Sequence, residues 1–265
     1  MTAPILRADR SIATYSSAMP TAAKLSSPLH EVARQSFPSA TLHGLTTFAP
    51  PSARRLVEVL DGASGMLVAI NAEKIATGDP AVARLCAAHL GYPDGIGAVM
   101  ALRRRGIRAR RMPGADLWLA IIERYADTRS FYLIGGTDEV IDAVTRRLTA
   151  DHPKMRIWSR NGFPTEADLG ELETDLRKRK PDFVFVAMGS PRQEILMERL
   201  YAVQPALYVG LGGSFDIYAG VKTRAPQRLQ AMGLEWAYRL VREPARLRRL
   251  PSYLRFVALL GTGRY

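Results

Sequence analysis

Asp94 is the carboxylate whose surroundings best suit acid–base chemistry. It lies in Tyr92-Pro93-Asp94-Gly95-Ile96-Gly97, where a short apolar run gives way to a glycine-flanked turn. Glycines there permit a tight turn and close approach of a ligand to the backbone. An aspartate at that point can take a proton from a hydroxyl or cap the next helix, and spacing alone favours the cap, since Asp is a preferred N-cap residue. Six arginines follow: Arg103, Arg104, Arg105, Arg108, Arg110 and Arg111. They read either as a solvated face or as guanidinium forks for phosphate. Phe131-Tyr132-Leu133-Ile134-Gly135-Gly136-Thr137 is an apolar run entering a glycine turn. With a helix behind it, Gly135 and Gly136 can offer N–H groups to a diphosphate; a plain strand-to-helix turn explains them equally well. Met188-Gly189-Ser190-Pro191-Arg192-Gln193-Glu194 follows the apolar Phe183–Ala187 run. Pro191 suits a first helical turn. Gln193 can donate to and accept from a sugar or uracil; the alternative is a helix start with solvated side chains.

Some chemistry is argued against. The sequence has no Asp-x-Asp, the pair that many sugar-nucleotide enzymes use to hold a divalent cation. Abundant arginine instead points to charge neutralisation by side chains and helix N-termini, so neither metal nor cofactor is expected. A single cysteine, Cys86, and four scattered histidines exclude an internal disulfide and a Cys/His metal cluster, which fits a reducing cytosol. Neither Gly135-Gly136 nor Gly210-Leu211-Gly212-Gly213-Ser214-Phe215 completes a dinucleotide fingerprint, which counts against a dinucleotide-dependent oxidoreductase.

The elements that must position these residues alternate. Short apolar runs predict strands at Met66–Asn71, His89–Pro93, Ser130–Gly135, Arg156–Ser159, Phe183–Met188 and Leu207–Gly210. Apolar spacing of three and four predicts helices at Ser52–Leu60, Pro80–Ala87, Ile96–Arg104, Ala115–Tyr125, Asp138–Thr149, Glu166–Arg179 and Pro191–Tyr201. This order implies an α/β, Rossmann-like, mainly parallel sheet with helices on both faces and ligands beyond the C-terminal strand ends. Residues 1–40, rich in Ala, Ser, Thr and Pro, read as a flexible tail. Residues 41–220 form the catalytic α/β domain. Residues 221–265, interrupted by Pro244 and Pro251, read as a C-terminal helical appendage.

The chain has 265 residues and a net charge of +12. Residues 222–265 hold ten Lys/Arg against Glu235 and Glu243, a net +8. Such an end suggests an anionic partner: phosphate, nucleic acid or a membrane surface. No recognisable nucleic-acid module accompanies the arginines, so the nucleic-acid-binding reading is the weaker one. No stretch of 18 apolar residues predicts a membrane span, and no secretion signal is evident. Leu250, Tyr253, Leu254, Phe256, Val257, Leu259 and Leu260 form an apolar run fit to lie in a membrane interface. Arg239, Arg242, Arg246 and Arg249 recur at three or four, which aligns them on one helical face unless Pro244 shifts the phase.

In their order these blocks resemble the WecG/TagA/CpsF glycosyltransferases (glycosyltransferase family 26). The blocks are Asn71-Ala72-Glu73-Lys74, Asp94-Gly95-Ile96-Gly97, Arg111-Met112-Pro113-Gly114-Ala115-Asp116-Leu117, Leu133-Ile134-Gly135-Gly136, Met188–Glu194, Val209–Asp216, Arg224-Ala225-Pro226, Gly233-Leu234-Glu235-Trp236 and Tyr238-Arg239-Leu240. The resemblance implies an inverting, metal-independent transfer of a hexosyl group, of glucose or N-acetylmannosamine type, from a UDP-sugar to a polyprenyl-diphosphate-linked saccharide. It implies Asp94 as general base, Asn71 and Gln193 in the pocket, Arg111 beside the substrate, and Arg239, Arg246 and Arg249 on the diphosphate. It further implies a cytoplasmic enzyme peripherally held on the inner face of the membrane, and leaves homo-oligomerisation open. Some members carry a threonine two positions before the pocket asparagine; here that position is Ala69, so no hydroxyl role carries over.

Overall fold

The computed structural model describes residues 27–265. It is a three-layer α/β/α arrangement around one eight-stranded sheet. The strands are β1 (Ser39–Leu42), β2 (Leu45–Phe48), β3 (Gly65–Ile70), β4 (Leu90–Pro93), β5 (Ser130–Gly135), β6 (Arg156–Arg160), β7 (Phe183–Ala187) and β8 (Leu207–Gly210), in the order β1-β2-β4-β3-β8-β7-β5-β6. Every pairing is parallel except β1 with β2. The chain leaves β3 outward to β4 and later fills the other side with β5 to β8. The crevice between β3 and β8 therefore opens at a reversal of strand order, where such sheets bind ligands.

The central strands are buried on both faces, as a parallel sheet under two helical layers requires. In β7, Phe183, Phe185 and Ala187 face one layer, and Val184 and Val186 the other. The first layer holds α1 (Pro28–Ser36), α2 (Ala53–Glu58), α6 (Gly114–Tyr125), α7 (Asp138–Asp151) and α10 (Ser214–Tyr218). The second holds α3 (Ala72–Thr77), α4 (Pro80–Ala88), α5 (Ile96–Arg104), α8 (Glu166–Arg179), α9 (Arg192–Val203) and α13 (Leu250–Thr262). Two short helices, α11 (Gln227–Ala231) and α12 (Glu235–Arg242), and a 3₁₀ segment (Pro244–Arg249) precede α13.

Three expectations are corrected. The segment read as tail is structured from Pro28: Ser27 caps α1, whose Leu29 and Ala33 are buried, and β1 follows. The earlier part of that tail lies outside the described residues. The four arginines near the C-terminus do not share a helical face, because α12 ends at Arg242 and Pro244 starts a tighter 3₁₀ turn. Pro191 is not inside the helical turn either; it is the N-cap of α9 and follows a cis peptide bond.

Residues 221–265 are packed onto the α/β body. Phe256 and Leu260 of α13 are buried among Ile75, Ala98 and Leu102. Gly97 in α5 is needed there, since a β-carbon would lie 3.1 Å from the Phe256 ring and 2.8 Å from Ala72 Cβ. Tyr265 ends the docking: its hydroxyl donates to the Ala101 carbonyl at 3.2 Å, and its ring lies under Arg105.

Candidate active site

Asp94 follows β4 directly and is tied to the end of β3 by its N–H, which donates to the Ile70 carbonyl at 3.0 Å. It does not cap α5; Gly95 holds that position, with no side-chain cap bond. The carboxylate reaches across to α6 instead, where Oδ1 accepts the Gly114 N–H at 2.7 Å. Gly114 allows this approach: a β-carbon there would lie 3.2 Å from the Tyr92 hydroxyl and 3.5 Å from Asp94 Oδ1. Asp94 Oδ2 has no hydrogen-bond partner among the described residues.

Burial raises the Asp94 carboxyl above the ordinary carboxylate range. The Gly114 N–H and the charges of Arg111, Arg239 and Lys74 oppose that shift without cancelling it. A carboxylate whose proton affinity is raised, held by one oxygen and open at the other, fits a general base.

The appendage roofs this carboxylate. Glu235, the first residue of α12, is buried and gathers three guanidinium groups. Arg111 and Arg239 each donate an Nη2 at 2.5 Å, and Arg224 Nε is 3.9 Å away. Burial pushes the Glu235 carboxyl upward, but Arg239, Arg111 and Arg224 outweigh it and hold it below the usual range. Arg224 also forks onto both oxygens of Asp116. A cleft of about 300 Å³, lined by Ser52, Arg110, Arg111, Pro113 and Asp116 among others, opens beside this cluster; Asp94 does not line it.

The remaining expected residues fall in separate places. Asn71 caps α3 by accepting the Lys74 N–H at 3.0 Å, and its Cβ lies 3.1 Å from where a β-carbon on Gly95 would be, next to Asp94. Arg246 pairs with Glu243 at 2.7 Å and Arg249 with Glu73 at 3.0 Å. These two and Arg239 all act on the Tyr253 hydroxyl, which burial raises and Glu73 raises further, so the fold brings the three arginines into one neighbourhood. Gly135 and Gly136 lie four strands away from β4, at the end of β5. A β-carbon on Gly135 would meet the Ala187 carbonyl at 2.5 Å, so packing between β5 and β7 requires this glycine whatever binds there.

Gln193 and Glu194 overturn the reading of solvated side chains at a helix start. Both are buried. Gln193 Oε1 accepts the Gly212 N–H at 2.8 Å and Nε2 donates to Glu194 at 3.0 Å. Three features had no clear sequence signal: the Glu235 clamp, the burial of Lys74 against Glu194, and exposed Phe163 with Arg192 5.9 Å from its ring centre. Their partners are far apart in the chain. Among the described residues no three His, Cys, Asp or Glu side chains group to hold a metal ion.

The sequence model of the Glycosyl transferase WecG/TagA/CpsF family matches residues 43–264. The chain belongs to this family. It is a glycosyltransferase, and its family works in bacterial cell-surface polysaccharide synthesis with a sugar-nucleotide donor and a lipid-linked acceptor. The matched span runs from the β1–β2 turn through α13, so it includes both the Asp94 crevice and the arginine roof.

Proposed function

We propose that this glycosyltransferase moves a hexosyl group from a UDP-sugar to a hydroxyl of a polyprenyl-diphosphate-linked saccharide, with inversion and with Asp94 as general base. The observation that carries the reading is the Asp94 carboxylate, raised by burial, anchored by Gly114 and roofed by Arg111 and Arg239. In the transfer, Asp94 Oδ2 takes the acceptor hydroxyl proton as that oxygen attacks the anomeric carbon. The bond to UDP breaks on the opposite face, and the leaving diphosphate carries away the electron pair. Preorganised guanidinium groups stabilise that developing charge, and Arg111, Arg239, Arg246 and Arg249 are the groups available for it. With four such cations at hand and no Asp-x-Asp, the transfer runs without a metal ion.

The acceptor's lipid calls for a membrane surface. No helix among the described residues is long and apolar enough to cross a membrane. The appendage instead exposes Val241, Leu247, Leu250, Leu254 and Val257 among Arg242, Arg248 and Arg255. Apolar side chains set among cations suit peripheral binding to anionic lipid on the cytoplasmic face.

The test is a panel of UDP-sugars offered with a lipid-diphosphate monosaccharide, read by mass spectrometry with anomeric assignment by NMR. One UDP-hexose should give a disaccharide of inverted configuration. Transfer with retention, or from no UDP-sugar at all, overturns the reading.

A further inference from the structure

Lys74 and Glu194 are 120 positions apart in the chain, yet their charged ends meet at 2.7 Å with both side chains over nine-tenths buried. Lys74 is on α3, just beyond β3 and Asn71. Glu194 is on α9, just beyond β7. Their contact therefore crosses the crevice between β3 and β8 and joins its two sides.

The contact is one link in a longer chain of hydrogen bonds. Lys74 Nζ also donates to the Ala69 carbonyl at 2.8 Å, and the Lys74 N–H is the one that Asn71 accepts. Glu194 Oε1, the oxygen that meets Lys74, also accepts from Gln193 Nε2. Gln193 in turn fixes the Gly212 N–H beyond β8. Ala69 is level with Tyr92 in the β3–β4 ladder, two residues before Asp94. Asn71, Asp94, Gln193 and Gly212 thus share one buried ionic fastening. A buried ion pair is a poor source of stability, because desolvation offsets most of the attraction, and in some proteins its role is to fix geometry instead. Nothing about a helix start requires its third side chain to be buried and paired across a sheet.

We propose that Lys74 and Glu194 are positioning residues for the transfer reaction, holding Gln193 and the β8 turn in register with Asn71 and Asp94. This rests on Asp94 being the base. The charged and titratable groups around Asp94 are Lys74 from α3, Arg111 ahead of α6, Arg239 from α12, Arg224 ahead of α11 and Tyr92 from β4. Around the pair itself is Cys86 of α4, whose thiol burial pushes up to about 12, with Lys74 lowering it and Glu194 raising it.

Lys74 is the member of the pair whose charge reaches Asp94, and Glu194 is its counterion, which gives the experiment. The acid limb of the kcat–pH profile is measured for the full chain and for Lys74→Met and Glu194→Gln, with Asp94→Asn as reference. Lys74→Met removes the cation and should move the limb to higher pH. Glu194→Gln leaves the cation uncompensated and should move it to lower pH. Both should lower kcat about tenfold. If Lys74→Met does not fold, Lys74→Met/Glu194→Met carries the test, since an apolar pair of similar volume replaces the ion pair without an orphaned charge. It should unfold within a few degrees of wild type and still lose about tenfold in kcat. Limbs that stay put, or shift in the same direction, with wild-type kcat in the double variant, overturn the proposal. If Asp94→Asn turns over like wild type, the parent reading has failed instead, and the two failures are separable.

Discussion

Two regions along the C-terminal strand ends of the sheet are built on different principles. At the β3–β4 end, Asp94 feels three cations: Arg111, Arg239 on an appendage element, and Lys74. At the β5–β6 end the turns after the strands meet through glycines, where the Gly162 N–H donates to the Gly136 carbonyl at 2.8 Å, and the adjoining Phe163 stands 61% exposed. The charged end is a site of electrostatics, assembled from four parts of the chain. The glycine end is a site of shape, assembled from consecutive βα turns.

The sharpest way to break this contrast is at Asp94. Asp94→Asn should lower kcat by about 10²–10⁴ and leave the fold intact, since the amide oxygen can still accept the Gly114 N–H. Stability gives a second reading. The Asp94 carboxyl is raised in the folded state, so its ionisation costs the fold stability as pH rises from the ordinary carboxylate range through the folded pKa. At neutral pH the variant should therefore melt no lower than wild type, and any advantage should vanish in acid. Near-normal turnover, or a lower melting temperature at pH 7 only, would show that Asp94 serves the fold.

A smaller effect is expected from the roof. Arg239→Ala should cost about 10² in turnover on a water-soluble acceptor analogue, as removal of one preorganised charge-stabilising donor does. Arg239→Lys should restore only part, because an ammonium lacks the planar guanidinium that can keep one N–H on Glu235 and offer others to the diphosphate. Full restoration by lysine would make Arg239 a point charge and blur the distinction between the two ends.

The appendage's outer surface is the next test. Leu254→Glu with Val257→Glu changes two side chains that are each 64% exposed. Pelleting with anionic liposomes should fall several-fold, more at high salt, while turnover on the soluble analogue stays unchanged. Equal pelleting at low and high salt would remove the membrane role from this surface. Last, EDTA should change the rate by less than twofold. Loss of activity restored by Mg²⁺ or Mn²⁺ would move charge stabilisation away from the arginines.

Deleting residues 221–265 is a poor substitute for these variants. It strips Phe256, Leu260 and Tyr265 from the second core layer and leaves Arg111 without Glu235. A dead truncation would not separate a lost roof from a damaged body.

Local pattern settled a good deal. The strands Ser130–Gly135 and Leu207–Gly210 and the helices Ile96–Arg104 and Glu166–Arg179 are legible from apolar runs and spacing alone, because both depend on neighbours within a turn or a strand. The β1–β2 hairpin turns on His43 and Gly44, both with positive φ, and of the two only Gly44 is a residue type that marks such a turn in sequence. The order of the motif blocks identified the family. What the sequence could not show is which charges meet. Lys74 reads as one more lysine on a short helix, Glu194 as a solvated acid, and Glu235 as half of a weak acidic complement in a basic tail. Tertiary structure buries all three and assigns each a partner brought in from elsewhere in the chain. The physical reason is range. Periodicity reports on burial within an element, whereas a buried charge is decided by what the fold brings within 3 Å, since only pairing makes its desolvation tolerable.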